Sequence, residues 1–212
     1  MTAAPRRTQL QRRIDAETKL LDASLTLLVE RGYDRFALSE VGELAGYSRG
    51  LAAHHFVNKE GLLEALTQYI VGGFAKGIKR QPAVAPGWDT IVRNIRYYTS
   101  SPTRNPRLFR AYMIILAEAA LRPRLGALAE QTHQRAVQSL MEDVEAGKAA
   151  GNILPEIDAK RSAETIYAFQ RGLHSLAMLD KDLDTGAIAE TFISAMQLQM
   201  CPPGQKRKGR SD

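Results

Sequence analysis

Apolar residues recur at three- and four-residue intervals over most of the chain, and no segment shows strand-like alternation of useful length. This periodicity predicts an all-α fold. In the first half, helices are predicted at residues 14–31, 49–56 and 58–80, with one short helix before Gly46. Two prolines and a glycine break the pattern at residues 81–87. The helices predicted beyond this break cover residues 88–99, 106–121, 123–150, 159–179 and 185–199.

A glycine turn between two short helices marks residues 43–63. Gly46 tolerates the positive φ that a steep crossing of two helices needs. Ser48 follows at the position of an N-cap, where its hydroxyl can accept a hydrogen bond from a backbone N–H of the next helix. That helix, residues 49–56, is too short to be stable alone, so its neighbours must hold it in place. This order of elements is typical of a helix-turn-helix DNA reader.

The short helix at residues 49–56 has one apolar side and one side that we expect to face solvent. Ala52 and Phe56, which are four positions apart, are expected to pack inward on the preceding helix. The residues expected to receive them there are Val41, Leu44 and Ala45. The residues expected to point outward are Arg49, Leu51, Ala53 and His54.

Glycine and asparagine mark the ends of the two longer helices on either side. Gly32 stands where an αL residue is expected to end the first helix. Asn58 is the expected N-cap of the helix that runs on toward Arg80. Lys59 lies in the first turn of that helix, and free backbone N–H groups at a helix N-terminus attract anions. We therefore expect Lys59 to contact a phosphate.

The order VERGYD, LSEVGELAGYSRG, HHF and NKEGLL resembles the DNA-binding domain of the TetR family of bacterial transcriptional regulators. The resemblance covers residues 12–65 and includes the glycines, the cap, the aromatic residue and the lysine at the family's spacing. It implies an N-terminal three-helix helix-turn-helix DNA-binding domain and a larger helical C-terminal domain for effector binding and dimerisation. The expected division is a DNA-binding domain with a basic N-terminal arm at 1–58, a connecting helix at 59–80, an effector-binding and dimerisation domain at 81–200, and a basic disordered tail at 201–212.

The sequence departs from the family pattern in three places, at Ala37, at Gly42 and at residues 51–53, where members commonly have threonine, leucine and tyrosine. Ala37 stands where many members have a small hydroxylated N-cap, so this cap is either missing or moved to Ser39. Gly42 replaces an alanine inside the same helix, at a cost of about 0.5–1 kcal/mol in helix propensity unless close packing requires it. Ala53 stands in place of a tyrosine expected to contact phosphate, and His54 beside it could replace that contact.

The chain carries a net charge of +6 and has a pI near 9.5, which suits a polyanionic partner. Basic residues concentrate at both ends, as Arg6, Arg7, Arg12 and Arg13 and then as Lys206, Arg207, Lys208 and Arg210. The N-terminal arginines lie beside the first helix, and we expect Arg13 to contact DNA. The C-terminal cluster also suits a solubilising, disordered tail.

No apolar run is long enough to span a membrane and no apolar signal core follows the N-terminus, so we expect a cytoplasmic protein without membrane contact. The single Cys201 excludes an internal disulfide and a cysteine-based zinc site. His54 and His55 are adjacent and diverge on a helix, which does not suit a shared metal. No HExxH, GxSxG or phosphate-binding glycine loop is present. We therefore expect no catalytic residue, no metal site and no cofactor.

The resemblance and the outward positions together predict the contacts with DNA. Arg49 is expected to read a base edge, most naturally guanine, and Leu51 or Ala53 to touch thymine methyl groups. Four residues are expected mainly to hold phosphates and fix the register, namely Tyr47, Ser48, His54 and Lys59. The full predicted DNA-binding set is Arg13, Ser39, Tyr47, Ser48, Arg49, Gly50, Leu51, Ala53, His54 and Lys59.

The second half predicts an effector cavity and a dimer interface. Helix 106–121 is apolar on nearly every side, so we expect it to be central and to line a cavity. Helices 159–179 and 185–199 carry apolar residues on more than one side, which favours a symmetric dimer over a thick monomeric core. The predicted effector contacts, each with a plain core role as alternative, are Trp88, Tyr98, Phe109, Tyr112, Met113, His133, Phe169 and His174. The predicted dimer contacts are Tyr167, Leu173, Phe192 and Met196.

These features predict a homodimeric regulator, most naturally a repressor, that an unknown small-molecule effector releases from a roughly palindromic double-stranded operator. One rival is a small-molecule binding protein or all-helical enzyme that retains a vestigial helix-turn-helix, and sequence-specific DNA retention separates it from a regulator. A second rival is a sequence-blind architectural DNA binder that uses its basic ends. Truncation of both ends should abolish DNA binding only in that second case.

Overall fold

The computed structural model describes residues 8–203. Within that range it contains ten helices and no strand, so the predicted all-α fold is confirmed. The helices are α1 (Gln9–Arg31), α2 (Leu38–Leu44), α3 (Arg49–Phe56), α4 (Lys59–Lys79), α5 (Trp88–Thr99), α6 (Ser101–Arg104), α7 (Pro106–Ala119), α8 (Pro123–Ala149), α9 (Ala159–Leu179) and α10 (Thr185–Met200). The expectations for Arg6, Arg7 and the basic tail after residue 203 lie outside the described residues.

The described chain forms two compact units. The first contains the residues up to Gly73 together with Arg107–Ala129, and the second contains Phe74–Pro106 and the residues from Glu130 onward. Helix α4 contributes residues to both units. None of the helices in the described part is long and apolar enough to cross a membrane. The functional boundaries expected from the sequence remain a prediction.

Helix α1 begins earlier than its apolar pattern indicates. Thr8 is its N-cap, because the Thr8 hydroxyl oxygen accepts a hydrogen bond from the Gln11 backbone N–H at 3.2 Å. Ile14, the predicted start, is an exposed residue inside the helix. Gly32 ends the helix at the predicted position, with φ 76° and its N–H bonded to the Leu28 carbonyl, but its ψ of 176° lies outside the expected αL region. Helix α1 thus ends where a residue with positive φ stops it.

The start of α2 has no hydroxyl cap. Ala37 occupies the N-cap position, and Ser39 lies inside the helix, so the alternative of a cap moved to Ser39 is wrong. Glu40 supplies the reciprocal half of a capping box, because its carboxylate accepts hydrogen bonds from the Ala37 backbone N–H at 2.8 Å and from Arg31 at 2.6 Å. These two partners hold the pKa of the Glu40 carboxyl below its ordinary value. The carboxylate at the third helical position therefore satisfies a backbone donor that an alanine side chain cannot reach.

Helices α2 and α3 meet through small residues. Gly46 has φ +78°, as the turn requires, and the Tyr47 N–H donates to the Gly42 carbonyl at 2.9 Å. A Cβ on Gly42 would lie 2.5 Å from the backbone oxygen of Ser48. Real Cβ atoms do not approach an oxygen so closely, so close packing does require glycine at position 42. The helix-propensity cost of Gly42 is offset by this contact between the two helices.

The core of the α2–α3 pair differs from prediction at one residue. Val41, Ala52 and Phe56 are buried, as expected. The expectation that Leu44 packs inward is wrong, since Leu44 is 54% exposed. Successive helical residues are about 100° apart, so Leu44 lies on the far side of α2 from Gly42, where α3 makes its close approach.

The second unit is built around α5, α8, α9 and α10. Its core includes the fully buried side chains of Ile91, Ile95 and Ile166. Asn152 joins the start of α5 to the end of α8, because its side-chain oxygen accepts a hydrogen bond from the Trp88 N–H at 3.1 Å. Burial among these helices raises the pKa of the Cys201 thiol to about 11.

Two glycine substitutions test this account of the packing. Gly42→Ala should lower the free energy of unfolding by about 1–3 kcal/mol, because the added methyl group meets a backbone oxygen that cannot move away alone. Gly72→Ala, inside α4 with open space where the new methyl group would lie, should raise it by about 0.5–1 kcal/mol. Urea denaturation of both variants measures the two changes. Equal effects in the same direction would contradict the role of Gly42.

Candidate DNA-binding face and sensor region

Helix α3 exposes the side that the sequence assigns to DNA. Its bounds agree with the prediction, and Ala52 and Phe56 hold it against the rest of the first unit. Arg49, Gly50, Ala53 and His54 are exposed, and Leu51 is half-buried. A short helix anchored along one side and open along the other can enter a major groove.

Ser48 occupies the predicted N-cap position with extended backbone angles, φ −65° and ψ 151°. Its hydroxyl makes no capping hydrogen bond, so that part of the prediction is wrong. The Ser48 carbonyl instead accepts from the Leu51 N–H at 3.1 Å, which closes the first turn through the backbone. The exposed hydroxyl is therefore placed for a hydrogen bond outside the helix.

Arg49, the predicted base reader, is joined to Glu43. The Arg49 Nε donates to the Glu43 carboxylate, and both side chains remain exposed. Glu43 lies near the end of α2 and Arg49 is the first residue of α3, so the pair crosses the turn at Gly46. Sequence reasoning missed this partner, although an acid and a base on opposite sides of a four-residue turn are a usable signal.

The flanking residues of the predicted set lie on three helices and one loop. Arg13 is exposed on α1, and Ser39 is half-buried in α2. Tyr47 is half-buried in the α2–α3 connection, with the Lys19 ammonium of α1 5.7 Å from the centre of its ring. These residues belong to the first unit together with α3.

Lys59 lies in the first turn of α4, which Asn58 caps as predicted by accepting the Gly61 N–H at 2.8 Å. The Lys59 ammonium rests on two aromatic rings, 4.6 Å from the centre of Tyr33 and 4.3 Å from the centre of Phe36. Burial against them lowers the pKa of Lys59 from its ordinary value. In the free protein this charge is held by ring faces that attract cations.

A second cation shares the Tyr33 ring. The Arg122 guanidinium, between α7 and α8, lies 4.0 Å from the ring centre and pairs with Glu118 on α7. The positive charge of Arg122 also contributes to the lowered pKa of Lys59. The sequence offered no signal for this contact, because Tyr33 and Arg122 are far apart in the chain.

His174, on α9 in the second unit, has a strongly lowered pKa. It is 4% exposed, and its Nε2 donates to the Tyr98 carbonyl at 2.9 Å. Burial lowers its pKa to about 4, the Tyr98 hydrogen bond opposes that change, and the charge of Arg171 adds to it. A carbonyl only accepts, so the neutral ring carries its proton on Nε2 and presents Nδ1 as an acceptor.

Gln170 lies one turn before His174 on α9 and was not predicted. It is 6% exposed, and its side-chain amide nitrogen has no hydrogen-bond partner among the described residues. An unpaired buried amide costs about 1–3 kcal/mol. Gln170 and His174 together form a buried polar position on an otherwise apolar side of α9. Residues four apart lie on the same side of a helix, so the sequence spacing of these two polar residues could have indicated this position.

The eight predicted effector residues are divided between the two units. Phe109, Tyr112 and Met113 lie on α7 in the first unit, and the other five lie in the second. Of those five, Tyr98 is joined to His174, as described above. Trp88 is buried in the core, and the exposed His133 meets the Tyr167 ring edge-on at 4.7 Å.

Phe169, predicted to contact the effector, stacks on Phe192, predicted to contact a partner. Their ring centres are 3.8 Å apart and their planes are nearly parallel, at 2°. Leu173 and Met196, also in the predicted dimer set, are buried within the single chain and leave almost no area for a partner. Three leucines not in that set are exposed on the same two helices, namely Leu176, Leu179 and Leu198.

A short helix held across a glycine turn, with basic and small residues outward, defines a helix-turn-helix DNA-binding protein. Two family models match the chain, "Bacterial regulatory proteins, tetR family" at residues 20–66 and "BetI-type transcriptional repressor, C-terminal" at residues 89–197. The chain therefore belongs to the TetR family, as the sequence predicted, and is a DNA-binding transcriptional regulator. Regulators of this family bind DNA operators and small-molecule effectors, act as dimers and are generally not enzymes.

Individual relatives agree with this assignment. HTH-type transcriptional regulator CymR from Pseudomonas putida is 32% identical over 90 residues, which are 42% of this chain and 44% of CymR. HTH-type transcriptional regulator BetI from Serratia proteamaculans (strain 568) is 22% identical over 158 residues, which are 73% of this chain and 77% of BetI. A TetR-family regulator from Rhodococcus sp. has the same fold, with a TM-score of 0.76 and 23% identity over 87% of this chain and 98% of that protein.

The burial of His174 predicts a pH-dependent stability. Its pKa is about 4 in the folded chain against an ordinary value of 6.5, so between these values the unfolded state binds more protons and stability rises with pH. The His174 contribution to the free energy of unfolding should fall by about 2 kcal/mol from pH 7 to pH 5. Urea denaturation at both pH values should show a smaller loss for His174→Gln. An unchanged loss in His174→Gln, or the same reduction in His133→Gln at an exposed position, would refute the assignment.

Proposed function

We propose that this regulator is a homodimeric repressor that binds a roughly palindromic operator through two copies of α3 and leaves it when a small-molecule effector binds. The observation that carries the proposal is the presentation of α3, whose apolar side is buried while Arg49, Ala53 and His54 are exposed. A symmetric dimer presents two such helices to two half-sites. In the DNA-bound form they should lie about 34–36 Å apart, one turn of the duplex, or a multiple of that distance.

Base reading centres on Arg49 at the first position of α3. Its guanidinium is suited to donate two hydrogen bonds to guanine O6 and N7 in the major groove. Leu51 and Ala53 are small or apolar enough to contact thymine methyl groups. The half-buried state of Leu51 leaves part of its side chain for that contact.

Contacts to phosphates fix the register of α3 without reading sequence. Ser48, which directly precedes Arg49, and His54, in the last turn of α3, are both exposed. Lys59 reaches a phosphate by leaving the Tyr33 and Phe36 rings, and the N-terminus of α4 adds a favourable potential for the anion. The remaining members of the proposed set are Arg13, Ser39, Tyr47 and Gly50.

The dimer surface that we propose is the exposed apolar side of α9 and α10. On α9, Phe169, Leu176 and Leu179 lie within about 80° of one another around the helix. The stack of Phe169 on Phe192 joins this row to α10, where Leu198 is 84% exposed. Large apolar side chains grouped at a surface favour a partner that covers them.

The effector would act by shifting a population between two conformations. A ligand that binds better to the conformation with wrongly spaced α3 helices lowers operator affinity. The size of this decrease is limited by the ratio of the ligand's affinities for the two conformations. The buried polar position formed by Gln170 and His174 suits a polar group of the effector, because the Gln170 amide lacks a partner among the described residues. Helix α4 is the proposed lever, since it begins beside α3 and ends in the second unit.

Two substitutions separate base reading from phosphate binding. Arg49→Ala should cost about 1–3 kcal/mol on the operator and relax discrimination at one base pair. Lys59→Ala should weaken binding to all sequences about equally and reduce the salt slope by about one. Gel-shift titrations across salt, on an operator selected from random duplexes, measure both effects. Lys181→Ala, on an exposed loop of the second unit, is the matched control, and unchanged binding by both test variants would refute the proposal.

The dimer is tested by sedimentation at micromolar protein. The unmodified chain should sediment at twice its mass of 23.4 kDa. Leu179→Lys should shift the population to monomers, because the interface would then bury an unpaired charge. Leu121→Lys introduces the same charge at another exposed leucine and should leave the dimer intact. A monomer in the unmodified chain, or equal dissociation by both variants, would contradict the proposed surface.

A further inference from the structure

The contact between Glu43 and Arg49 has a geometry that bears on operator selectivity. The Glu43 carboxylate accepts from the Nε of Arg49, which is the inner nitrogen of the guanidinium. One N–H of a terminal nitrogen runs parallel to Nε–H, and the end edge of the guanidinium, with one N–H from each terminal nitrogen, is directed away from that bond. The two N–H groups of this end edge form the planar fork that matches two acceptors on one guanine edge.

From this arrangement we infer that Glu43 is a positioning residue that sets the selectivity of Arg49 for its base. The inference rests on the proposed role of Arg49 in base reading. Glu43 contacts no base itself, and it acts by holding the guanidinium in one orientation before DNA arrives. An arginine that is already oriented loses less conformational entropy when it forms its two hydrogen bonds.

The charge of Glu43 also penalises unspecific contacts. A phosphate that approaches Arg49 outside the operator also meets the exposed Glu43 carboxylate, and the two negative charges repel each other. On the operator, Arg49 can keep Glu43 on Nε while its terminal nitrogens bind the base. Selectivity is the difference between these two affinities, so a repulsive element raises it even if total affinity falls.

The neighbouring acid shows that this contact is distinct from a helix cap. Glu40 is bonded to the Ala37 backbone N–H and to Arg31, and these contacts stabilise the start of α2. Glu43 instead reaches across the turn to α3, and both members of its pair are exposed. An exposed ion pair adds little to folding stability. Removal of the Glu43 carboxylate should therefore change DNA selectivity without unfolding the first unit.

Two substitutions of Glu43 separate orientation from charge. Glu43→Ala removes both the orienting contact and the charge. In this variant, the preference for the cognate base pair at the position read by Arg49 should fall about 3- to 10-fold, which is part of the discrimination that one bidentate arginine supplies. Glu43→Gln keeps an oxygen that accepts from Nε, so this preference should stay within about twofold of the unmodified protein. Both variants should bind random duplex DNA more tightly, because one negative charge is gone. Glu17→Ala, at an exposed acid on α1, is the charge-matched control and should leave the preference unchanged.

The measurement is fluorescence-anisotropy titration of each variant on the selected operator, on operators changed at single base pairs and on random duplex, with thermal melts to verify folding. Arg49→Ala and the double variant with Glu43→Ala should show the same preference, since Glu43 acts only through Arg49. If Arg49→Ala reduces the preference and Glu43→Ala does not, the inference about Glu43 is wrong and the proposed base reader stands. If Arg49→Ala leaves every base preference unchanged, the proposed base reader itself fails.

Discussion

The close approach of α2 to the start of α3 is the contact on which the DNA-binding face depends. An eight-residue helix cannot maintain itself in water, so α3 keeps its shape only while Ala52 and Phe56 are buried against its neighbours. That burial requires α2 to approach the Ser48 carbonyl, and Gly42 permits the approach because it has no side chain. Gly42 lowers the helix propensity of α2, and the same residue determines where the outward residues of α3 lie.

The other end of α3 is fixed by an equally tight junction. A Cβ on Gly61 would lie 2.4 Å from the Phe56 carbonyl oxygen, so the first turn of α4 packs directly on the last turn of α3. Between them Val57 takes φ 61° and ψ −50°, and the Asn58 N–H bonds to the Phe56 carbonyl, which makes a strained γ-turn. Such a conformation persists only where its surroundings determine it. Helix α3 is thus held at both ends and follows α4 as one body.

Features set by neighbours in sequence could be predicted, and features set by distant residues could not. The turn at Gly46, the bounds of α3 and the cap at Asn58 each depend on residues within one helical turn. The ring contacts of Lys59 and Arg122, and the stacking of Phe169 on Phe192, join residues more than 20 positions apart in the sequence, so no local pattern predicts them. The burial of Leu173 and Met196 shows the same limit, because an apolar residue on a two-sided helix is equally suited to the core and to an interface.

Helix α9 brings the two proposed activities of the second unit onto one element. His174 and Leu176 are two residues apart, which places them on opposite sides of the helix, one buried and one exposed. In the proposed mechanism, a ligand that satisfies the Gln170 amide would act on the buried side, and a second copy of the chain would cover the exposed side. Because a packed helix moves as a rigid element, a displacement on one side is a displacement of the other. In the proposed regulator, α9 would therefore couple effector binding to the arrangement of the dimer without a separate path of side chains between them.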